Sequence, residues 1–319
     1  MANIILTSRC NLGCEYCFAH ELTESDAGDI KMKDFLDIVD FAGSDGEIGL
    51  IGGEPLLHKQ INDFISVLNA RYDVRRVLLF TNGIFLDKLD MRLLCQKTSV
   101  LVNVNSSLEI GRVAFEKMKN GISTLFEYLP KPRVTLGVNI YKENQDFSDL
   151  VSLIKEFGVK RVRVSVVIPK DKGDGAFNYF ARMKKTLLSL VKTLGSLGVC
   201  PSYDCNAIPE CVYTDKEKKL LAALPYENDF EKRIFMGQAS VCAPIVDIYP
   251  DKTAARCFGM CEYKVKIDDF ENINDLKNHF FMALDTRLVH QPSKDECKSC
   301  YKNKVFGCFG GCLCYKNGR

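Results

Sequence analysis

The 319-residue chain has almost no net charge: 43 Lys and Arg stand against 41 Asp and Glu, a balance of +2. A field that weak gives no ground for a nucleic-acid partner or an anionic membrane surface. Long apolar runs are missing as well. No stretch approaches the roughly 20 residues that a membrane helix needs. The short apolar run at residues 1–6 has neither the basic start nor the length of a secretion signal. There is no internal repeat and no low-complexity segment. What remains, 46% hydrophobic and 26% charged, suits a globular protein of one large domain or two smaller ones.

Against these absences stand 15 cysteines, an odd number in a chain without an export signal. The expected compartment is therefore the reducing cytoplasm, where thiols serve as metal ligands more readily than they pair as disulfides. Cys10, Cys14 and Cys17 crowd the head, Cys95 and Cys200 stand alone, and ten follow from Cys205 onward. This distribution predicts a cysteine-poor body over residues 1–204 and a cysteine-rich second domain over residues 205–319.

Short apolar or β-branched runs at residues 4–7, 47–51, 77–81, 100–104, 133–140 and 161–167 predict buried strands. Helical patterns at 32–41, 61–70, 86–95, 112–128 and 147–157 lie between them, and one at 177–197 closes the body. Strands spaced by helices imply parallel βαβ units. Six strands are too few for a closed eight-stranded barrel, which leaves a partial barrel or an open doubly wound sheet. Either way, chemistry belongs on the loops after the strands' C-terminal ends.

The segment Cys10-Asn-Leu-Gly-Cys14-Glu-Tyr-Cys17 occupies the first such loop. An ordinary 4Fe–4S cluster takes four thiolates, so three from one loop leave an iron open to a ligand from solution. Gly13 is expected to permit the tight wrapping. The spacing also suits a structural zinc knuckle that borrows its fourth ligand elsewhere.

The Cys-x3-Cys-x2-Cys spacing, with Tyr16 just before the last cysteine, resembles the cluster motif of radical S-adenosylmethionine (radical SAM) enzymes. Gly52-Gly53-Glu54-Pro55 after the second strand resembles that family's methionine-binding motif, and Thr81-Asn82-Gly83 after the third is common there. The resemblance covers the body and implies an α/β fold, a partial (β/α)6 TIM-like barrel. It implies that Cys10, Cys14 and Cys17 hold a 4Fe–4S cluster that binds S-adenosylmethionine, close to Tyr16. The backbone at Gly52 and Gly53 is expected to approach the methionyl group, and Glu54 to accept from its ammonium. Asn105 and Ser107 are candidates for the ribose, Asn139 and Ile140 for the adenine. For Asn105, Ser107 and Asn139, capping of a strand end is an equal alternative. The implied reaction is reductive cleavage to methionine and a 5′-deoxyadenosyl radical, which takes hydrogen from a substrate. The electron would come from an external donor such as flavodoxin or ferredoxin.

In the tail, Cys242 and Cys257 flank a hairpin pattern turning at Pro250-Asp251, and Cys297-x2-Cys300-x7-Cys308-x3-Cys312 follows. This pair of elements resembles the SPASM extension of peptide-modifying radical enzymes, which implies one or two auxiliary 4Fe–4S clusters. It departs from that pattern in the seven-residue spacing, in lacking a glycine after Pro-Asp, and in the immediate Cys314. The expected partition places Cys242, Cys257 and Cys312, with Cys261 or Cys211, on one cluster. Cys297, Cys300, Cys308 and Cys314 would hold the other. Zinc suits a four-thiolate site equally. Cys205 and Cys211 are left as ligands, reactive thiols or fillers. Cys95, in an apolar helix, and Cys200 read as buried small hydrophobes. His58 is expected to help start the second helix, and Arg163, alternating with Ser165, to face the barrel interior as a carboxylate binder. Asp204 and Glu210 are candidate acids or bases.

The tail's resemblance implies a residue in a peptide or protein as substrate, with crosslinking, epimerisation or oxidation to formylglycine as outcomes. The body begins almost at Met1, so such a substrate is expected at the barrel mouth or on a separate peptide-recognition protein. Two alternatives stay open: the same chemistry on a small metabolite, and a non-catalytic iron–sulfur or zinc protein.

Overall fold

A computed structural model describes the chain except for residues 26–27, 170–173, 204, 239–241, 243–244, 306–307 and 317–319; Asp204 thus lies outside the described residues. Ten strands follow in order: β1 (Ala2–Ile5), β2 (Glu47–Ile51), β3 (Arg76–Thr81), β4 (Thr98–Asn103), β5 (Val134–Ile140), β6 (Arg161–Val166), β7 (Cys200–Tyr203), β8 (Val246–Ile248), β9 (Thr253–Ala255) and β10 (Lys264–Lys266). The chain packs as two units, residues 1–136 with 244–281 and residues 137–243 with 282–319. The six strands expected in the body all form, the sheet is not closed, and the architecture is an α/β partial barrel.

In the first unit β1 pairs in parallel with β2, β2 with β3 and β3 with β4. Every residue of β1 is buried, as befits a parallel strand covered on both faces. The helix Met32–Ala42 turns Phe35, Ile38, Val39 and Ala42 inward, and Ile61–Ala70 turns Ile61, Phe64, Ile65 and Leu68. That is the i, i+3, i+4, i+7 stripe of a helix laid on a sheet. Phe35 stacks on Phe64 with ring centroids 4.2 Å apart.

Two elements depart from expectation. Residues 86–95 form two separate 3-10 turns, Leu86–Lys88 and Met91–Leu93, and no α-helix. Asp90 breaks the run: its side chain accepts from the Arg92 N–H at 3.1 Å, and its own N–H donates to Asn62 Oδ1 at 2.9 Å. Such a local bond offers the backbone an alternative to the helix ladder. Cys95 is consequently not helical; it is half-buried, and its thiol donates to Asn69 Oδ1 at 3.0 Å. The second departure is β7, a strand where the composition suggested a domain boundary. It pairs in parallel with β6 in the second unit, Cys200 opposite Arg161. Pro201 conceals it in the sequence, and proline is tolerated in strands chiefly at a sheet edge.

The hairpin between Cys242 and Cys257 forms as β8 and β9, paired antiparallel. β8 also pairs in parallel with β1, which is why residues 244–281 pack with the first unit although the cysteine content groups them with the tail. Lys252, where the resemblance leads one to expect glycine, holds a left-handed φ of 62°. Its ammonium pairs with Asp37 at 2.7 Å.

On the β1–β8 rung, Asn3 stands opposite Asp247 and donates to it at 2.7 Å. Burial pushes the Asp247 carboxyl up to about 6, against the opposing pull of the Asn3 hydrogen bond, a main-chain donor and Arg256. A carboxyl raised in the folded state holds its proton more tightly there than in the unfolded chain. Its contribution to stability is therefore full below about pH 4 and is lost as pH rises through about 6. Asn3→Ala is expected to destabilise the fold by about 1–3 kcal/mol at neutral pH, because the buried carboxylate loses its donor. Urea unfolding of the two proteins side by side checks this; equal midpoints would contradict it.

Candidate active site

The loops after β1 and β2 touch main chain to main chain. The Gly53 N–H donates to the Thr7 carbonyl at 2.9 Å and the Glu54 N–H to the Arg9 carbonyl at 2.8 Å. A Cβ on Gly52 would lie 2.5 Å from the Thr7 carbonyl oxygen, and one on Gly53 would lie 2.4 Å from that of Arg9. Both glycines are thus demanded by contact with the protein's own loop, a different reason from the open approach to a ligand that the motif suggested. Gly13 needs no special freedom: a Cβ there meets nothing within 4 Å, and its φ is not left-handed.

Glu54 is 1% exposed and turned inward. One oxygen accepts from Thr81 Oγ1 at 2.7 Å and the Leu56 N–H at 3.1 Å, the other from the Asn82 N–H at 2.7 Å. This carboxylate, expected to receive an ammonium, bolts the end of β2 to the end of β3. Burial pushes it above the ordinary carboxylate range, while the three donors favour its charged form. Asn82 in turn donates from Nδ2 to Asn11 Oδ1 at 2.9 Å, inside the cysteine loop. On the loop's other flank, the Arg9 guanidinium donates to Asp29 at 3.0 and 2.6 Å and to the Leu57 carbonyl at 2.9 Å.

Cys10, Cys14 and Cys17 are half-buried reduced thiols on this anchored loop. Burial pushes Cys14 up to about 11, with Cys17 and Cys10 adding to the effect, and it raises Cys10 and Cys17 too. Among the described residues, no three Cys, His, Asp or Glu side chains are gathered as a metal ion would gather them. The donor set nonetheless fits an iron–sulfur cluster by its chemistry: three thiols on one loop, in a setting where a bound cation would reverse the burial effect and hold them as thiolates.

Tyr16 extends the site toward β4. Its phenol donates to Asn105 Oδ1 and accepts from Asn103 Nδ2 at 3.0 Å. Burial holds the phenol far above its ordinary range, so it remains a donor. Asn105 is 2% exposed, and among the described residues its Nδ2 has no partner. An orphaned buried donor costs about 1–3 kcal/mol unless a ligand supplies the acceptor. Asn103 was not a sequence candidate. The Asn-Val-Asn alternation at a strand end, which puts both amides on one side, was the available signal. Ser107 opens the helix Ser107–Ile110, but the capping box there belongs to Ser106 and Glu109.

In the second unit, Asn139 on β5 accepts from Arg163 Nη1 at 2.9 Å through its Oδ1, and its carbonyl accepts from Gln145 Nε2 at 2.9 Å. Arg163 is therefore engaged by an amide. Ile140 is fully buried, and its carbonyl accepts from the Val167 N–H at 2.9 Å. Ser165 donates to the Cys205 carbonyl at 3.4 Å. Cys200, half-buried, begins β7. Burial works against the Glu210 carboxylate, but Lys302 and Lys218 hold it below its ordinary range, in the charged form. In the first unit, His58 accepts from the Gln60 N–H at 3.1 Å ahead of the helix Ile61–Ala70, and its Nε2 donates to the Ile30 carbonyl at 3.0 Å.

Of the tail cysteines, Cys257 and Cys261 belong to the first unit, where the Cys261 thiol donates to Glu21 at 2.9 Å. Cys205, Cys211, Cys242, Cys297, Cys300, Cys308, Cys312 and Cys314 belong to the second.

Residues 4–154 match the family model of the Radical SAM superfamily. Over 175 residues the chain is 27% identical to the S-adenosylmethionine-dependent nucleotide dehydratase of Selenomonas ruminantium. That alignment covers 50% of this chain and 62% of the relative, so the chain spans less than two thirds of that relative's length. Native anSMEcpe with bound AdoMet superposes with a TM-score of 0.65 at 18% identity, over 98% of this chain and 88% of that one. Streptococcus suis SuiB bound to precursor peptide SuiA gives 0.61 at 14% identity, over 98% and 71%. At such identities the likeness is one of fold. Among the described residues, no helix is long and apolar enough to cross a membrane.

If the main-chain clasp sets the cysteine loop, Gly53→Ala must force it open. The expected result is a loss of roughly 1–3 kcal/mol, the usual cost of overpacking, and weaker iron retention on the first three cysteines. Chemical unfolding and iron analysis check this; a variant with unchanged stability and iron content would contradict it.

Proposed function

Since this chain carries a radical SAM domain over residues 4–154, we propose that it binds S-adenosylmethionine at a 4Fe–4S cluster on Cys10, Cys14 and Cys17 and takes hydrogen from a residue of a peptide or protein. The bound cluster and S-adenosylmethionine supply the one-electron chemistry that makes an unactivated C–H bond reactive; the protein's part is binding, orientation and exclusion of water. Cys10, Cys14 and Cys17 ligate as thiolates and leave one coordination position for the cofactor's amino and carboxylate groups. The clasp at Gly52 and Gly53, bolted by Glu54, holds that loop in place. Tyr16 and Asn103 fix the Asn105 carboxamide so that its Nδ2 donates to a cofactor hydroxyl or ring acceptor. Ser107, Asn139 and Ile140 are retained as candidate contacts to the nucleoside.

The observation carrying the cofactor assignment is the orphaned Asn105 donor, whose carboxamide is held by Tyr16 of the cysteine loop. The peptide reading is supported by the extent of the fold likeness: over 98% of the chain, cysteine-rich tail included, it matches a protein solved with its precursor peptide. A second reading, a nucleotide substrate, is favoured by the similarity to a nucleotide dehydratase. One or two auxiliary clusters in the tail, and reduction by a flavodoxin or ferredoxin, complete the proposal.

Anaerobically reconstituted, dithionite-reduced protein is expected to release 5′-deoxyadenosine from S-adenosylmethionine, and Cys14→Ala to abolish the release. Asn105→Ala is expected to weaken cofactor binding about 5- to 10-fold, the worth of one hydrogen bond of about 1 kcal/mol. Chromatography of the released nucleoside and binding isotherms check both. Mass spectrometry of candidate peptides and nucleotides after turnover in deuterated water separates the two substrate readings, since only the true class changes mass, by uptake of deuterium in an epimerisation or by net loss or gain of atoms in the other outcomes.

A further inference from the structure

The apolar surface beside Cys17 is built from two distant stretches of the chain, both in the first unit. Ala19 and Leu22, at the short helix His20–Thr23 just past the cysteine loop, share one buried cluster with Tyr249, Ala255 and Phe258, and Cys17 packs against it. The last three residues belong to the hairpin β8–β9 and the 3-10 turn Phe258–Met260 after it. They lie well beyond residue 154, where the match to the radical SAM domain ends.

Two direct contacts fasten these stretches together. Phe18 meets Phe258 edge to face with ring centroids 5.2 Å apart, and Phe258 meets Tyr249 in the same way at 6.4 Å, both within the range that aromatic pairs favour. On the far side of the turn, the Cys261 thiol donates to Glu21 Oε2 at 2.9 Å. Phe258 is 7% exposed and Phe18 52%, so Phe18 is the outer leaf of this wall and Phe258 the inner one. The pairing of β8 with β1 holds the wall to the same strand that leads into the cysteine loop.

An apolar surface against a cluster thiolate keeps water from its sulfur. Solvent access and the apolar shell are among the levers that set an iron–sulfur potential, and their sign is fixed. Reduction adds a negative charge, which a water-poor setting disfavours. A closed wall therefore makes the reduced centre a stronger electron donor, and an opened wall a weaker one.

We propose that Phe258 is a positioning residue for the head-loop cluster: backed by Phe18, it keeps water from the Cys17 side, so that the β8–β9 hairpin and its turn complete a site that residues 4–154 do not close by themselves. The proposal rests on the reading of Cys10, Cys14 and Cys17 as ligands of a 4Fe–4S cluster.

The test uses the full chain, reconstituted anaerobically with iron and sulfide. The head-loop signal in electron paramagnetic resonance is the one that Cys14→Ala lacks. Its reduction midpoint is measured by redox titration, and its decay is followed after exposure to air. Phe258→Ala is expected to move the midpoint to more positive potential and to hasten the decay. Phe258→Leu, which keeps apolar bulk, should return both most of the way to the parent. Phe18→Ala, a change at a half-exposed position that threatens the fold least, should shift both in the same direction by less. Should Phe258→Ala hold no iron, Phe18→Ala decides. Parental midpoint and decay in the variants that hold iron, or a midpoint that moves to more negative potential, would overturn the shielding role and leave the cluster reading intact. A signal that survives in Cys14→Ala, with none lost, would overturn the cluster reading and this role with it.

Discussion

Two main-chain hydrogen bonds, from Gly53 to Thr7 and from Glu54 to Arg9, set the position of everything that bears chemistry in the first unit. They join the loop after the first strand to the loop after the second at a distance that excludes any side chain. The buried Glu54 carboxylate then extends the tie to the third strand end, and Asn82 returns it to the cysteine loop through Asn11. A flexible segment with three thiols would bind a cluster poorly, because ordering it would consume binding free energy. Here the ordering is completed by the fold, which is the sense in which a site on strand ends is pre-organised.

The same economy appears at Tyr16. A phenol sits between the cysteine loop and the end of β4, donating to one asparagine and accepting from another. Its burial keeps the proton on, and the proton fixes the Asn105 carboxamide with its oxygen toward the phenol. The amide left without a partner is a local cost that a bound ligand would remove. Unsatisfied buried polar groups are uncommon in folded proteins, and they gather where function demands them.

Much of this was legible in the residues. Hydrophobic runs of strand length marked the six body strands, because parallel strands covered on both faces are apolar throughout. The cysteine spacing, the Gly-Gly-Glu-Pro turn and Thr-Asn-Gly fell on the first three strand ends, in order. What sequence left out has physical causes. Proline hid β7, a locally bonded aspartate broke the segment at residues 86–95, and β8 joined a unit that composition had not assigned it to. Roles were harder to read than places. Gly52 and Gly53 proved to be small for the sake of the protein's own backbone, and Glu54 turned inward as a fastening.

The account depends on the head loop presenting a cluster with one iron left for a small-molecule ligand. Electron paramagnetic resonance of the reduced protein, with its tail cysteines replaced and S-adenosylmethionine titrated in, tests that most directly. A cluster signal that depends on Cys10, Cys14 and Cys17 and changes saturably as S-adenosylmethionine is added is the predicted result. A signal indifferent to S-adenosylmethionine, or a colourless protein with one tightly held zinc on those three thiols, would contradict it.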